Sequence, residues 1–458
     1  MANENVISGA VISLDQNNLP RTKFGPVVCS DSSVLQEESS DDLYHHFLLR
    51  KNDEGVIPKS RNAITCSTKQ KSCEPASSAC FVMFPWSQSL SNSRTKWPDE
   101  CSAQEHDDQS GKGLLKHGLI GNLVYEGHIY SLAASGDFLY TGSDKKHLRV
   151  WRNLKDFSGL KSGSGLVKAI VVMGDKIFTG HQDGKIRIWR FLGDKRTAYE
   201  RIGNLPTTRD LLTKSFNPRN YVAVKRNRTG PWIKHHDAVS CMSVDIDHGL
   251  LYSGSWDKTL KVWRISDSKC LESIQVHKDA VNSLVAAFDV MVFTGSADGT
   301  VKSWRRQNTA ARNRTKHVMV EVLLKQRHAV TSLAANQETA SVYAGSSDGL
   351  VNFWEREDKD FMSYGGVLRG HKQAVLCLAV GGNLVLSGSA DKNICVWRRE
   401  GGGIHSFVAV LSGHSGPVKC LAAEEDGDQR WIVYSGSLDK SVKVWRVSER
   451  TLKLRELN

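Results

Sequence analysis

Seven times between residues 128 and 446 the chain spells a turn, a Gly-Ser-x tripeptide or close relative, an Asp, and a short β-branched run ending in Trp. The tryptophans are Trp151, Trp189, Trp263, Trp304, Trp354, Trp397 and Trp445. Nine residues before each stands a glycine: Gly142, Gly180, Gly254, Gly295, Gly345, Gly388 and Gly436. A recurrence of about 40 to 45 residues with this punctuation marks units that bury a core only by stacking on their neighbours. The chain is therefore expected to fold as a repeat array and to act as a binding platform rather than an enzyme.

Each unit reads as an inner strand (VSCMSV, VNSLVA, VTSLAA, VLCLAV, VKCLAA), a polar turn, and a second strand ending in Ser-Gly-Ser or Thr-Gly-Ser. A tight turn, a third strand ending in Trp and a weaker fourth strand follow. Short, evenly spaced strands with Gly where another backbone approaches predict antiparallel sheets. The expected fold is all-β, a seven-bladed β-propeller. The units resemble WD repeats, in which a His before the first strand, a Ser or Thr on the second, an Asp in the next turn and the Trp form a hydrogen-bonded tetrad. The resemblance maps complete tetrads onto His235, Ser253, Asp257 and Trp263; His277, Thr294, Asp298 and Trp304; His371, Ser387, Asp391 and Trp397; and His414, Ser435, Asp439 and Trp445. A buried imidazole needs a partner at each nitrogen, and this set supplies them.

Three units are incomplete. The first has Lys145 where the Asp belongs, with Asp144 one place early and His128 close to the inner strand. The second keeps Thr179, Asp183 and Trp189 without a His in the loop, and the fifth has Gln326 and Ala344 in the His and Ser/Thr slots. These blades are expected to lean on apolar packing. The 74 residues between Trp189 and Trp263 contain no further unit, so residues 207–234 read as an insertion between blades two and three. An open ring would expose a strand edge. Residues 119–125 are expected to complete the last blade, with 451–457 competing for that place.

Residues 1–113 are Ser-rich, carry 11 Lys/Arg against 15 Asp/Glu, and show no sustained period, which predicts a mostly disordered tail before a propeller over 114–458. The remaining 345 residues carry 50 against 34, so the basicity belongs to the repeats. The start MANENVISGAVISLDQNN lacks a basic region followed by an apolar run, and no eighteen consecutive residues are apolar, so secretion and membrane spanning are not expected. Ten cysteines divide evenly between tail and repeats without zinc-site spacing. Cys241, Cys377 and Cys420 share a slot with Ser131, Ala169, Ser283 and Ser332, which reads as small-residue filling by reduced thiols.

The span 118–448 further resembles the plant WD-repeat proteins of the JINGUBANG type, through blocks such as LIGNLVYEGHIYSLAASGDFLYTGSD, SGLVKAIVVMGDKIFTGHQDGKIRIW, WIKHHDAVSC and LLYSGSWDKTLKVWRISDSKCLESI. That resemblance implies a non-enzymatic regulator that contacts other proteins in the cytoplasm and nucleus. Enzyme motifs fail on inspection. Gly345, Ser347 and Gly349 match Gly-x-Ser-x-Gly but fall in a strand-to-strand turn, and Gly180, Gly184 and Lys185 are one residue short of a phosphate loop, with Ile186 where Ser or Thr should stand. No catalytic residue, cofactor, metal or small-molecule substrate is expected.

Partner contacts are expected at Trp256, in the turn before a tetrad Asp, and at Tyr221, Trp232, Lys225, Arg226 and Arg228 of the insertion. The insertion holds seven cations against one acid and is expected to rise beside the central channel and take proteins with acidic segments. Two alternatives follow from the same residues. Arg152, Arg190, Arg264, Arg305, Arg398 and Arg446 each follow a unit-ending Trp, a basic ring that could bind RNA through phosphates. A substrate receptor of a cullin ubiquitin ligase is the second, weakened because no unit ends in Trp-Asp.

Overall fold

The computed structural model describes residues 115–451, apart from 126, 146, 162, 164–165, 194–198, 226–227, 308–314, 359–360 and 428. The tail 1–113 and the stretch 452–457 lie outside the described residues. Each repeat unit forms one four-stranded antiparallel sheet. In blade three, for example, Val239–Asp245, Leu250–Ser255, Thr259–Arg264 and Lys269–Gln275 pair in that order. Neighbouring inner strands touch in a cycle. Ile129–Ser135 of blade one meets both Val167–Met173 of blade two and Val418–Glu425 of blade seven, so the ring of seven closes.

The recurrent glycine has a steric cause at each inter-blade contact. In blade three a Cβ on Gly254 would sit 2.6 Å from Cys241 Sγ and 2.8 Å from Val281 Cγ1, the first inner-strand residue of blade four. The last such contact crosses the seam: a Cβ on Gly436 would meet Ile129 of blade one at 2.6 Å. Cys241, Cys377 and Cys420 all lie opposite a blade glycine, buried and with free thiols that burial pushes well up, to about 12 for Cys241 and Cys377. The apolar core runs between blades in the same way. One cluster joins Phe178, Ile186 and Leu205 of blade two to Val239, Leu251 and Trp263 of blade three.

Leu115–Val124 fills the outermost place of blade seven, antiparallel to Ser441–Thr451, with Leu119 opposite Trp445 and Val124 opposite Ser441. Tyr125 N continues the ladder to Lys440 O at 2.7 Å. The closing strand thus begins at Leu115, ahead of the expected 119–125. Thr451, the start of the competing stretch, sits at the far end of the neighbouring strand, opposite Leu115.

A second inter-blade tie alternates around the ring. The second-strand residue two places before the blade glycine is Tyr140, Tyr252, Tyr343 and Tyr434 in odd blades, but Phe178, Phe293 and Leu386 in even ones. Tyr140 OH bonds Tyr199 OH at 3.1 Å, Tyr252 OH bonds His317 Nε2 at 3.2 Å, and Tyr343 OH bonds His405 Nε2 at 2.9 Å. Each partner stands at the head of the next blade's outer strand: Tyr199–Leu205, Lys316–Lys325 or His405–Leu411.

After Leu205 the chain leaves blade two and builds a small module. Helix Thr208–Ser215 is capped by Thr207, whose Oγ1 accepts from Asp210 N at 3.1 Å, and the hairpin Tyr221–Lys225 with Arg228–Pro231 follows. The module's base sits over the outer half of blade three, against Lys261 of its third strand, whose Nζ also donates to Ser273 Oγ of the outer strand at 2.6 Å, which corrects the expectation that the insertion rises beside the channel. The reason is tethering: Lys261 Nζ donates to Trp232 O, and His236 Nε2 bonds Pro231 O at 3.1 Å, which pins the exit of the module to blade three.

Candidate interaction face

Three of the four complete tetrads, in blades three, four and seven, share one wiring. In blade three Trp263 Nε1 donates to Ser253 Oγ at 2.8 Å, Ser253 Oγ lies 2.8 Å from His235 Nε2, and His235 Nδ1 lies 3.1 Å from Asp257 Oδ2. Blade four repeats this through His277, Thr294, Asp298 and Trp304 at 2.8, 3.2 and 2.9 Å. Blade seven repeats it through His414, Ser435, Asp439 and Trp445, each link at 2.8 Å. In blade six His371 bonds Ser387 Oγ at 2.6 Å and Asp391 at 2.9 Å, with its ring against Trp397.

Burial pushes the Asp257 carboxyl up, but His235, Thr259 Oγ1 and the His236 N–H outweigh it, and the group ends below the usual carboxylate range. The same balance, with Ser441 and His414 opposing burial, leaves Asp439 at about 2. Burial depresses His235 and His414 more than their aspartates raise them, so both imidazoles are neutral. A neutral ring donates from Nδ1 to the carboxylate and accepts at Nε2 from the hydroxyl, which in turn accepts the indole N–H. The connectivity is that of a hydrolase triad. Its hydroxyls at Ser253, Thr294, Ser387 and Ser435 are nevertheless fully buried and occupied by the network. These sets hold the fold and present no nucleophile.

The incomplete blades depart from expectation. Blade one keeps both halves of the tetrad, with His128 Nδ1 bonding Asp144 Oδ2 at 3.0 Å and Trp151 Nε1 donating to Thr141 at 3.1 Å, because the turn absorbs the one-residue offset. Blade two replaces the loop histidine with a strand one. His181 Nε2 bonds Thr179 Oγ1 at 2.8 Å, and the buried Arg187 grips Asp183 with two hydrogen bonds of 3.2 and 2.8 Å. Both blades therefore rest on polar links besides apolar packing. In blade five Gln326 Nε2 reaches only as far as His328 O, at 3.1 Å, and Ser346 bonds Asp348 within the turn.

Ser347 is buried in that same turn, where its Oγ accepts from Ala329 N at 3.1 Å, and the turn leads into strand Leu350–Arg356 rather than a helix. Gly184, with φ of +74°, likewise leads straight into strand Ile186–Phe191. Neither motif look-alike is set up for chemistry.

Trp256 is half-buried. The Lys168 ammonium lies 4.9 Å from its ring centroid and 5.1 Å from that of Tyr130. These residues come from blades three, two and one, and Tyr130 and Lys168 each hold the second position of an inner strand, so they converge at the channel mouth on the face of the turns that carry the tetrad aspartates. Tyr130 and Lys168 were missed from sequence. Their signal was present: the same position is Ser240, Asn282 and Thr331 in blades three to five.

In the insertion, Tyr221 is exposed and its OH donates to Ser215 O at 3.0 Å, whereas Trp232 is half-buried at the base with its N–H on Asn220 O at 2.9 Å. Lys225 and Arg228 face each other across the hairpin backbone. Arg226 and the side chains of Lys225 and Arg228 lie outside the described residues. Leu212 and Phe216, not singled out by sequence, are 57% and 85% exposed.

The arginine ring is largely matched by acids. Arg190 pairs with Asp175 at 3.4 Å, Arg264 with Asp267 at 2.6 Å, Arg398 with Glu400 at 3.2 Å and Arg446 with Asp426 at 3.4 Å, while Arg152 lies over Phe138 at 5.4 Å. Where blade five has Glu355 instead, Arg399 of blade six pairs with it at 2.7 Å. Among the described residues, no group of three or more His, Cys, Asp or Glu side chains could hold a metal ion.

The description WD domain, G-beta repeat matches residues 121–152, 227–264, 268–305, 363–398 and 405–446. Mitochondrial division protein 1 of Pyricularia oryzae is 29% identical over 119 residues, covering 24% of this chain and 17% of that protein. Nuclear distribution protein PAC1 of Candida glabrata is 35% identical over 91 residues, 20% of this chain and 16% of that one. The chain thus spans less than a fifth of either relative's length. The two blades left unmatched are the second and the fifth, whose tetrads are rewired. Ring, tetrads and five matched repeats together identify a seven-bladed WD-repeat β-propeller.

Proposed function

We propose that this chain is a non-enzymatic scaffold that holds other proteins, a plant regulator of the JINGUBANG type that works in the cytoplasm and nucleus. The observation that carries the reading is the Tyr130, Lys168 and Trp256 cluster at the channel mouth. Its half-exposed aromatic surface and cation are the kind of group that dominates protein interfaces. Much of the ring's remaining polar chemistry is spent internally, in buried tetrads and in four of the six ring arginines paired with acids. That pairing also weakens the RNA alternative, because a matched guanidinium releases few counterions on meeting a phosphate. Among the described residues no helix is long and apolar enough to cross a membrane.

Affinity capture from plant tissue with wild-type protein, Trp256→Ala and Lys168→Ala tests this. Each variant should melt like wild type and lose its partners by about 10-fold or more. Unchanged capture by both variants would sink the reading. Capture that depends on added RNA and vanishes after nuclease treatment would turn it toward nucleic acid.

A further inference from the structure

The insertion is a folded module that leaves several of its large apolar side chains exposed. Helix Thr208–Ser215 has no buried residue, yet Leu212 and the C-cap residue Phe216, one turn further on, are 57% and 85% exposed. Tyr221 at the start of the hairpin adds an exposure of 38%, while Val222, 44% exposed, lies on the hairpin's other face. The module is nevertheless held together from within. Asn220 Nδ2 donates to Lys214 O at 3.0 Å, Tyr221 OH to Ser215 O, and Thr207 caps the helix. Its base is seated on blade three, where a Cβ on Gly230 would collide with the His236 ring at 2.3 Å. An ordered scaffold that displays a large aromatic almost fully to water is shaped for a partner, since single scattered apolar residues are common but a built cluster is not.

Charge selects the occupant. Residues 207–234 hold Arg209, Lys214, Arg219, Lys225, Arg226, Arg228 and Lys234 against Asp210 alone. We infer that the insertion is a docking site for an acidic peptide segment with apolar anchors, supplied by a partner protein: Leu212, Phe216 and Tyr221 take the anchors and Arg209, Lys214 and Arg219 take the carboxylates. The inference rests on the scaffold reading above and adds a second contact surface, over the outer half of blade three, to the channel mouth. A nucleic acid stacked on Phe216 and Tyr221 would leave Leu212 uncovered, whereas a peptide's apolar side chains cover all three.

The test is a display library of random 12-residue peptides panned against the full chain and counter-panned against Leu212→Ser/Phe216→Ser. Since the helix buries nothing, this variant should melt as wild type does. Expected is an enriched pool rich in Asp and Glu with Leu, Phe or Trp, lost by about 10-fold or more on the double variant. Binding by individual peptides should weaken steeply with salt, and more gently in Arg209→Ser/Arg219→Ser. An enriched pool that is not acidic, or that binds the double variant equally, overturns the inference. If such a pool depends instead on Trp256, the scaffold reading survives and only the docking site falls. Sedimentation with phosphatidylserine vesicles that is lost in the double variant, without an acidic peptide pool, would also overturn it by reassigning the module to lipid.

Discussion

Ser253 Oγ sits 2.8 Å from both the indole nitrogen of Trp263 and Nε2 of His235, so its loss strands two buried groups at once. Ser253→Ala should cost about 1–3 kcal/mol for each group left unsatisfied, whereas Gln326→Ala in blade five, which forfeits one bond to His328 O, should cost about 1 kcal/mol or less. Thermal melts of the two variants decide this, and equal losses would mean the tetrad adds nothing beyond packing. Acid should act on the same groups. His235 and His414 titrate lower in the fold than in the unfolded chain, so their contribution is full above pH ~6.5 and declines as pH falls, followed by that of Asp439 on the way to its value of about 2. The tetrad residues were legible because each sits at a fixed offset from its Trp. His181 was not, because its role follows from strand register, which brings it beside Thr179, rather than from the loop spacing the pattern uses.

Strand Leu115–Val124 supplies the outermost ladder of blade seven from the opposite end of the chain. Deleting residues 1–110 spares that ladder and should leave the melting temperature unchanged, while deleting 1–126 removes it and bares the edge of Ser441–Thr451. The longer deletion should melt lower and aggregate. Identical melts would show that another segment closes the blade. The closing strand was readable as an orphan β-pattern before the first Gly-His, because a ring of whole blades leaves one strand unplaced. The insertion was readable only as composition. Its position over the outer half of blade three depends on Lys261 and His236, residues that meet it through the tertiary fold and carry no local sequence signal of doing so.

Across the whole ring, the junction between blades seven and one differs from the others in its charge. Glu424 at the end of the last inner strand accepts from Gly136 N of blade one at 2.9 Å, and burial, with Asp137 adding to it, pushes its carboxyl up to about 8. The folded state therefore holds this proton where the unfolded chain has released it. Its contribution is full below about pH 4.3 and is lost as pH rises through about 8. Glu424→Gln keeps the acceptor and removes the titration, so melts of the two proteins should nearly coincide at pH 5 and separate in favour of the variant by pH 8.5; a constant gap would refute the assignment. The tyrosine ties give this junction a further meaning. They couple blade one to two, three to four and five to six, a two-colour pattern, and two colours cannot alternate around an odd ring. Two blades of the same colour must adjoin somewhere, and they adjoin here, where Tyr434 faces Glu424, Asp426 and Asp137 in place of a neighbour's His or Tyr. The blade outside the three tyrosine-clasped pairs is therefore the same blade seven in which strand Leu115–Val124 joins the two ends of the ring.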